Sequence, residues 1–428
     1  MSEGPLDIST YFTATGTATL QSGDITIAGG TTTAPTLRLY TEAGTTPMNI
    51  GTGGAAGNYE LDDTEIGRLS TTGINDLVWG ESGTQSGAIT VQTVTLPAAV
   101  TTLTVSSDGA GGNVVLDDEG ASAALDGDGA NLDLSAASSG ITSAQGTNDI
   151  EELTSAGGTI SLDTTAEAGG PVGSAANRIV FAGAQSGVSI ATDGGDVFVG
   201  GIENATGVEY TSIDTFTGVN AANAGVVNVE NRNTAGPWTP TRLGGNVDTS
   251  STGNGGSQTF ADPIVLTADT SLLSAGGGGQ TDGNTQLDQD VLDNNGGYNF
   301  TVNAGPNAGT VTIGDNSDDA NGDTLGDLID IDGTVSLTAA GGITGNAPGG
   351  DLTITSSDIV LNNAIDAAGT LSFYTHNNTT PMEIGFDSGG GNWSLTDGEV
   401  TSLNGGAIGT LVFGNDGSQS GQITFTTA

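Results

Sequence analysis

Residues 36–94 read TLRLYTEAGTTPMNIGTGGAAGNYELDDTEIGRLSTTGINDLVWGESGTQSGAITVQTV, and residues 370–428 read TLSFYTHNNTTPMEIGFDSGGGNWSLTDGEVTSLNGGAIGTLVFGNDGSQSGQITFTTA. The two stretches align without a gap at a constant shift of 334 residues, and 27 of the 59 positions are identical. Shared composition does not produce runs such as Gln85-Ser86-Gly87 against Gln419-Ser420-Gly421, or pairs such as Tyr40/Tyr374, Pro47/Pro381, Glu65/Glu399 and Gly80/Gly414. A duplication built this chain. What keeps its type between the copies is the apolar alternation, while charges drift: Arg38 becomes Ser372, Glu42 becomes His376 and Arg68 becomes Ser402. That pattern identifies a core. A weaker third echo stands at 179–190, IVFAGAQSGVSI, with two residues deleted.

Outside the duplicated blocks the same signal recurs. GDITIAGG (23–30), TLTVSS (102–107), NVVLDD (113–118), NLDLSA (131–136), TISLDT (159–164), TVTIGD (310–315) and DLTITSS (351–357) alternate apolar with hydroxyl or amide residues, a period of two that predicts short strands. Gly-Gly, Asp-Gly and Asn-Gly pairs between them supply left-handed positions for tight corners. Helical periodicity is confined to one or two turns at 61–69 and 396–403. The chain is therefore expected to be all-β. Connections vary from two residues to more than ten, which suits a parallel β-solenoid better than a hairpin-linked antiparallel sandwich. Inward Leu, Ile, Val and Phe would stack over equivalents one coil along, with Thr, Ser and Asn facing water. Coils of roughly 20–25 residues and a strand spacing of about 4.8 Å predict about 17–21 coils, a rod on the order of 80–100 Å long and one continuous domain over 1–428. Acidic loop insertions interrupt it near 280–296 and 314–333.

Composition narrows the function. Five Lys+Arg stand against 50 Asp+Glu, a net charge of −45, and there is no lysine. Nucleic-acid binding, which needs clustered cations, is excluded. With no cysteine, thiolate chemistry, disulfides and Cys-type metal sites are excluded too, and one histidine, His376, leaves little imidazole chemistry. His376 itself reads as an exposed loop residue. Gly at 73 of 428 and the charge would fit a disordered chain, but disorder does not require ordered alternation. No apolar run reaches the ~18–20 residues of a membrane-spanning helix, so no membrane insertion by this segment is expected. The opening MSEGPLDISTYF has no basic or hydrophobic leader region.

DGTVSLTAAGGITG (332–345), GGDLTITSSDIVLNNAIDAAGTLSFYT (349–375) and FADPIVLTADTSLLSAGGGG (260–279) resemble repeats of the filamentous haemagglutinin-like and autotransporter-like bacterial surface proteins, in which a strand leads through Leu-Thr-Ala-x-Gly-Gly-Ile into another strand. The resemblance covers half to two-thirds of the chain and rests on motifs that any corner-turning β-helix selects. It implies a right-handed parallel β-helix at the cell surface or outside the cell. Its role would be adhesin, stalk or matrix component, and its partners neighbouring repeats of a parent protein, further copies of itself, or glycans and a host or neighbouring cell surface. The family's secretion domain and translocator barrel are missing from this sequence, so an interior piece of something larger is expected.

Two kinds of site were weighed. For calcium, GDNSDDANGDTLGDLIDIDG (314–333) gathers Asp315, Asp318, Asp319, Asn321 and Asp323, and Gly-containing, oxygen-rich loops suit a hard cation with six to eight ligands. The spacing departs from a D-x-[DN]-x-[DN]-G loop, since Ser317 stands at its first position. A second acidic loop, 282–295, carries Asp288, Asp290 and Asp293. Both loops also read as solvated segments of an acidic protein. For glycan chemistry, Asp62-Asp63 and Asp117-Asp118 are the only adjacent carboxylates near Arg38 or Arg68, yet neighbouring strand residues point to opposite faces and the pattern is lost in the second copy. No catalytic residue and no cofactor beyond calcium is therefore expected. The expected function is a non-enzymatic structural or adhesive segment, with a self-assembling filament or surface-layer subunit and a carbohydrate-active β-helix enzyme as alternatives. Tyr40/Tyr374 and Tyr59/Trp393 read as packing residues or, alternatively, sugar platforms.

Overall fold

A computed structural model describes residues 5–9, 11–29, 32–51, 59–69, 73–117, 123–144, 151–167, 169–182, 186–201, 208–215, 223–230, 240–293, 296–314, 327–331, 334–340, 343–345, 351–385, 393–404, 407–414 and 418–426. Strands occupy 50% of the chain and helices 3%, so the protein is all-β. The strand pairings within each part described below are parallel. The chain divides into two compact units, residues 1–209 with 215–221 and residues 210–214 with 222–428.

In the first unit three ladders are built in turn. Strands Thr17–Ser22, Thr36–Thr41, Asp76–Trp79, Thr102–Ser107, Asn131–Ala136, Thr159–Thr164 and Gly187–Thr192 pair side by side without a register slip. Register follows from alternation, because a slip of one residue would turn every apolar side chain to water. Hence Leu37, Leu77, Leu103, Leu132, Ile160 and Val188 form one buried column, and Leu39, Trp79, Val105, Leu134, Leu162 and Ile190 a second. A second ladder joins Tyr59–Leu61, Met48–Gly51, Ile89–Gln92, Asn113–Asp117 and Gly140–Ser143. A third joins Val94–Thr95, Leu125–Asp126, Glu151–Thr154 and Ile179–Ala182. Each inward aliphatic side chain contributes about 1.5–3 kcal/mol by leaving water, and a single circuit of the chain has nothing but its neighbours to bury it against.

The second unit repeats this logic. Val247, Leu272, Val302, Leu337 and Leu361 stack in one ladder, and Ile264, Val291, Ile329, Ile354, Phe373 and Phe413 in another. Val229, Phe260, Leu287 and Ile313 form a third column.

Two expectations need correction. Circuits are longer than 20–25 residues: Leu77, Leu103, Leu132, Ile160 and Val188 are 26, 29, 28 and 28 residues apart in sequence. Also, Thr and Ser do not all face water. Thr41, Ser107, Thr164, Thr192, Thr249 and Ser274 are buried at corners. There their hydroxyls donate to carbonyl oxygens that the turn leaves without a ladder partner, as Thr164 does to Gly170 at 2.6 Å and Thr192 to Gly195 at 2.8 Å.

The third echo is not a third copy in space. Ile179–Ala182 belongs to the ladder of Val94 and Leu125, whereas Asp76–Trp79, its sequence match, belongs to the ladder of Thr36–Thr41. The same strand-corner-strand phrase is used at a different corner.

Candidate functional site

The predicted calcium ligands Asp315, Asp318, Asp319, Asn321 and Asp323 lie outside the described residues. The second acidic loop is described apart from 294–295, and its carboxylates are turned to the backbone. Asp282, 5% exposed, accepts from Gly276 N–H at 2.7 Å and from the N–H of Asn307 in the next circuit. Asp293, also buried, accepts from Gly297 N–H at 3.1 Å and Tyr298 N–H at 3.3 Å. Asp288 accepts from Gln286 Nε2 at 2.6 Å. These acids close loops by satisfying N–H groups that would otherwise be buried without a partner. Among the described residues no three Asp, Glu or His side chains converge as a metal-holding group.

The carboxylate pairs weighed for glycan chemistry are likewise structural where described. Asp62 caps the short helix Asp63–Ile66, its side chain accepting from Glu65 N–H at 2.8 Å while Glu65 accepts from Asp62 N–H at 2.8 Å, a reciprocal capping box. Arg68 donates to the carbonyl of Ile27, and Arg38 stands exposed on an outward face. Asp117 accepts from Gln92 Nε2 at 3.0 Å; Asp118 and Arg232 lie outside the described residues.

The polar constellation that the molecule does build is one it builds twice. Glu65 reaches back to Ile27 N–H at 2.9 Å, and Glu399 to Leu361 N–H at 2.9 Å. Asp24 accepts from Glu60 N–H at 3.0 Å, and Asp358 from Ser394 N–H at 3.0 Å. Thr41 donates to Gln85 at 2.8 Å while Gln85 donates to Thr46 O at 2.8 Å; Thr375 donates to Gln419 at 2.9 Å while Gln419 donates to Thr380 O at 3.0 Å. Every pair differs by 334 residues. Burial is the main force pushing the Glu65 carboxyl upward, against the lowering effect of its two backbone donors, and it pushes Asp358 upward too. This clamp ties a helix and a strand to the preceding circuit. Sequence alignment begun at Thr36 misses its first member, although Asp24-Ile25 against Asp358-Ile359 carries the same shift.

Aromatic pairs sort by burial. Tyr59 and Trp393 are fully buried and belong to the core, while Tyr40 and Tyr374 are half-buried. His376, expected to be exposed, is half-buried, because its backbone N–H pairs with Ser356 O at 2.9 Å and draws it against the preceding strand.

One surface departs from the rest. Leu411 is 41% and Phe425 66% exposed, and with Ile384, Val400, Leu403 and Phe413 they line an apolar groove of about 720 Å³. Phe413 stacks on Phe373 at 5.8 Å and meets Phe425 edge-on at 5.9 Å.

No protein-family model, curated protein or solved structure matches this chain.

Proposed function

We propose that the protein is a non-enzymatic scaffold: a stretch of right-handed parallel β-helix that serves as a structural or adhesive segment on a cell surface or outside the cell. The observation that supports this is what the duplication preserves. The retained polar groups, Glu65/Glu399, Thr41/Thr375 and Gln85/Gln419, bind backbone within the fold. The outward groups a ligand or substrate would meet, Arg38, Glu42 and Arg68, are replaced in the second copy. A duplication kept for chemistry would be expected to keep the reverse set. The acidic exterior keeps such segments soluble and mutually repelled, at a net charge of −45.

The test is incubation of the purified protein with a panel of neutral and uronic-acid polysaccharides, with and without calcium. No release of reducing ends or unsaturated products is expected, together with retention on immobilised glycans or cell-wall material. Turnover on any of them would overturn the reading.

A further inference from the structure

We propose that the open apolar face formed by Ile408–Phe413 and Ile423–Phe425 captures an extended segment of another polypeptide by parallel strand addition, the segment carrying apolar residues at alternate positions as residues 102–117 do. This goes beyond the scaffold reading and does not depend on it.

The occupant is legible because the molecule holds the same face in covered form. Shifted by 334 residues, Leu411, Phe413, Ile423 and Phe425 correspond to Leu77, Trp79, Ile89 and Val91, all fully buried. What buries them is the next circuit. Leu103 pairs with Leu77 and Val105 with Trp79. Val114 pairs with Ile89 and Leu116 with Val91. In the second copy, Ile408–Phe413 pairs with Ile365–Thr375 and Ile423–Phe425 with Met382–Ile384; among the described residues no strand lies along their other edges. A row of free N–H and C=O groups beside exposed Leu411 and Phe425 is a template for strand addition. The duplicate also sets the register: Leu103 would stand opposite Leu411, Val105 opposite Phe413 and Leu116 opposite Phe425.

The probe is a fluorescein-labelled peptide of residues 100–117, VTTLTVSSDGAGGNVVLD, titrated into the full chain with anisotropy and amide hydrogen exchange as readouts. Saturable binding is expected, with new amide protection at 408–413 and 423–425. Leu411→Asp and, separately, Phe425→Asp should weaken binding at least tenfold. Both side chains are exposed, so neither variant should unfold the chain, which circular dichroism checks. A peptide with Leu103→Asp and Val105→Asp should not bind. Three results would each overturn the proposal: no binding at millimolar peptide, binding indifferent to both face variants, or a chain that occupies the face by pairing with a second copy, seen as a dimer that Leu411→Asp dissolves.

Discussion

The blocks at 24–94 and 358–428 are one design in two situations. Internally they agree bond for bond, down to the reach of Glu65 to Ile27 and of Glu399 to Leu361, both 2.9 Å. They differ in what lies on the far side. The first block is covered by Thr102–Ser107 and Asn113–Asp117, and its apolar residues are sealed. The second presents the same positions to solvent at Leu411 and Phe425. The difference separates two contributions that a single copy would confound: bonds within a block, which are the same in both, and burial between circuits, which only the first block has.

Substitutions at matched positions test that separation, beginning with the largest effect. Leu77→Ala removes a fully buried side chain between two strands and should cost about 2–5 kcal/mol, whereas Leu411→Ala should cost within about 1 kcal/mol. Urea unfolding midpoints read both, and equal losses would break the comparison. Next come the corner glycines. Gly80 (φ +80°) and Gly414 (φ +75°) are both left-handed, so alanine costs about 1–2 kcal/mol at either through conformation alone. A Cβ at Gly80 would also lie 2.1 Å from the Ser106 carbonyl of the covering circuit, while at Gly414 its nearest neighbour is the tip of Ile423 at 2.8 Å. Gly80→Ala should therefore lower the midpoint clearly more than Gly414→Ala, and the reverse order would contradict the covering role of Ser106.

A smaller contrast sits at Tyr59 and Trp393. Trp393 Nε1 donates to Ser356 Oγ at 3.2 Å, but the hydroxyls of Tyr59 and of Ser22, the counterpart of Ser356, are buried without partners. Burial, with the Asp24 and Glu65 carboxylates, also pushes the Tyr59 hydroxyl far above the ordinary phenol range. Tyr59→Phe should be within about 0.5 kcal/mol of neutral or stabilising, and Trp393→Phe should cost about 1–3 kcal/mol. Calorimetric melts decide; a marked loss in Tyr59→Phe would mean the hydroxyl has a partner.

The smallest effect is a pH dependence. Burial raises the carboxyls of Asp63, Glu65, Asp133 and Asp358 above their ordinary values, with Asp163 adding to the shift at Asp133. A raised folded value means that the folded state holds the proton more tightly. The stability from these groups is then complete below the ordinary carboxylate range of about 4 and is lost as pH rises through the folded values. At constant ionic strength Tm should therefore rise modestly on acidification from pH 7 toward about 5. A fall over that interval would show that paired carboxylates with lowered values dominate instead.

Much of this architecture is written in local pattern. TLRLYT and TISLDT alternate as strands do, and they are strands at 36–41 and 159–164; the brief helical signals at 61–69 and 396–403 contain the helices Asp63–Ile66 and Asp397–Asn404. Parallel pairing was legible from irregular connections, because only a long return path leaves their length free. Three things were not legible. Circuit length depends on which strands are neighbours, and alternation says nothing of neighbours. The inward corner hydroxyls of Thr164 and Thr192 look like outward ones, because side-chain period cannot tell the last strand residue from the turn. The clamp acid Asp24 sits 36 residues from the strand residue whose N–H it accepts, Glu60, so no window of local sequence joins them.

The ladders also bear on how the chain acquires its structure. Neighbours in the main ladders are separated by about one circuit, from 19 residues between Ala18 and Leu37 to 41 between Met48 and Ile89. Closing a loop costs free energy only as the logarithm of its length, so a doubled circuit adds roughly 0.6 kcal/mol. The search for each new contact is accordingly no harder for the tenth circuit than for the second. Folding can start wherever one circuit first closes and advance by adding strands to a finished edge, at a rate set by circuit length rather than by the 428 residues of the whole.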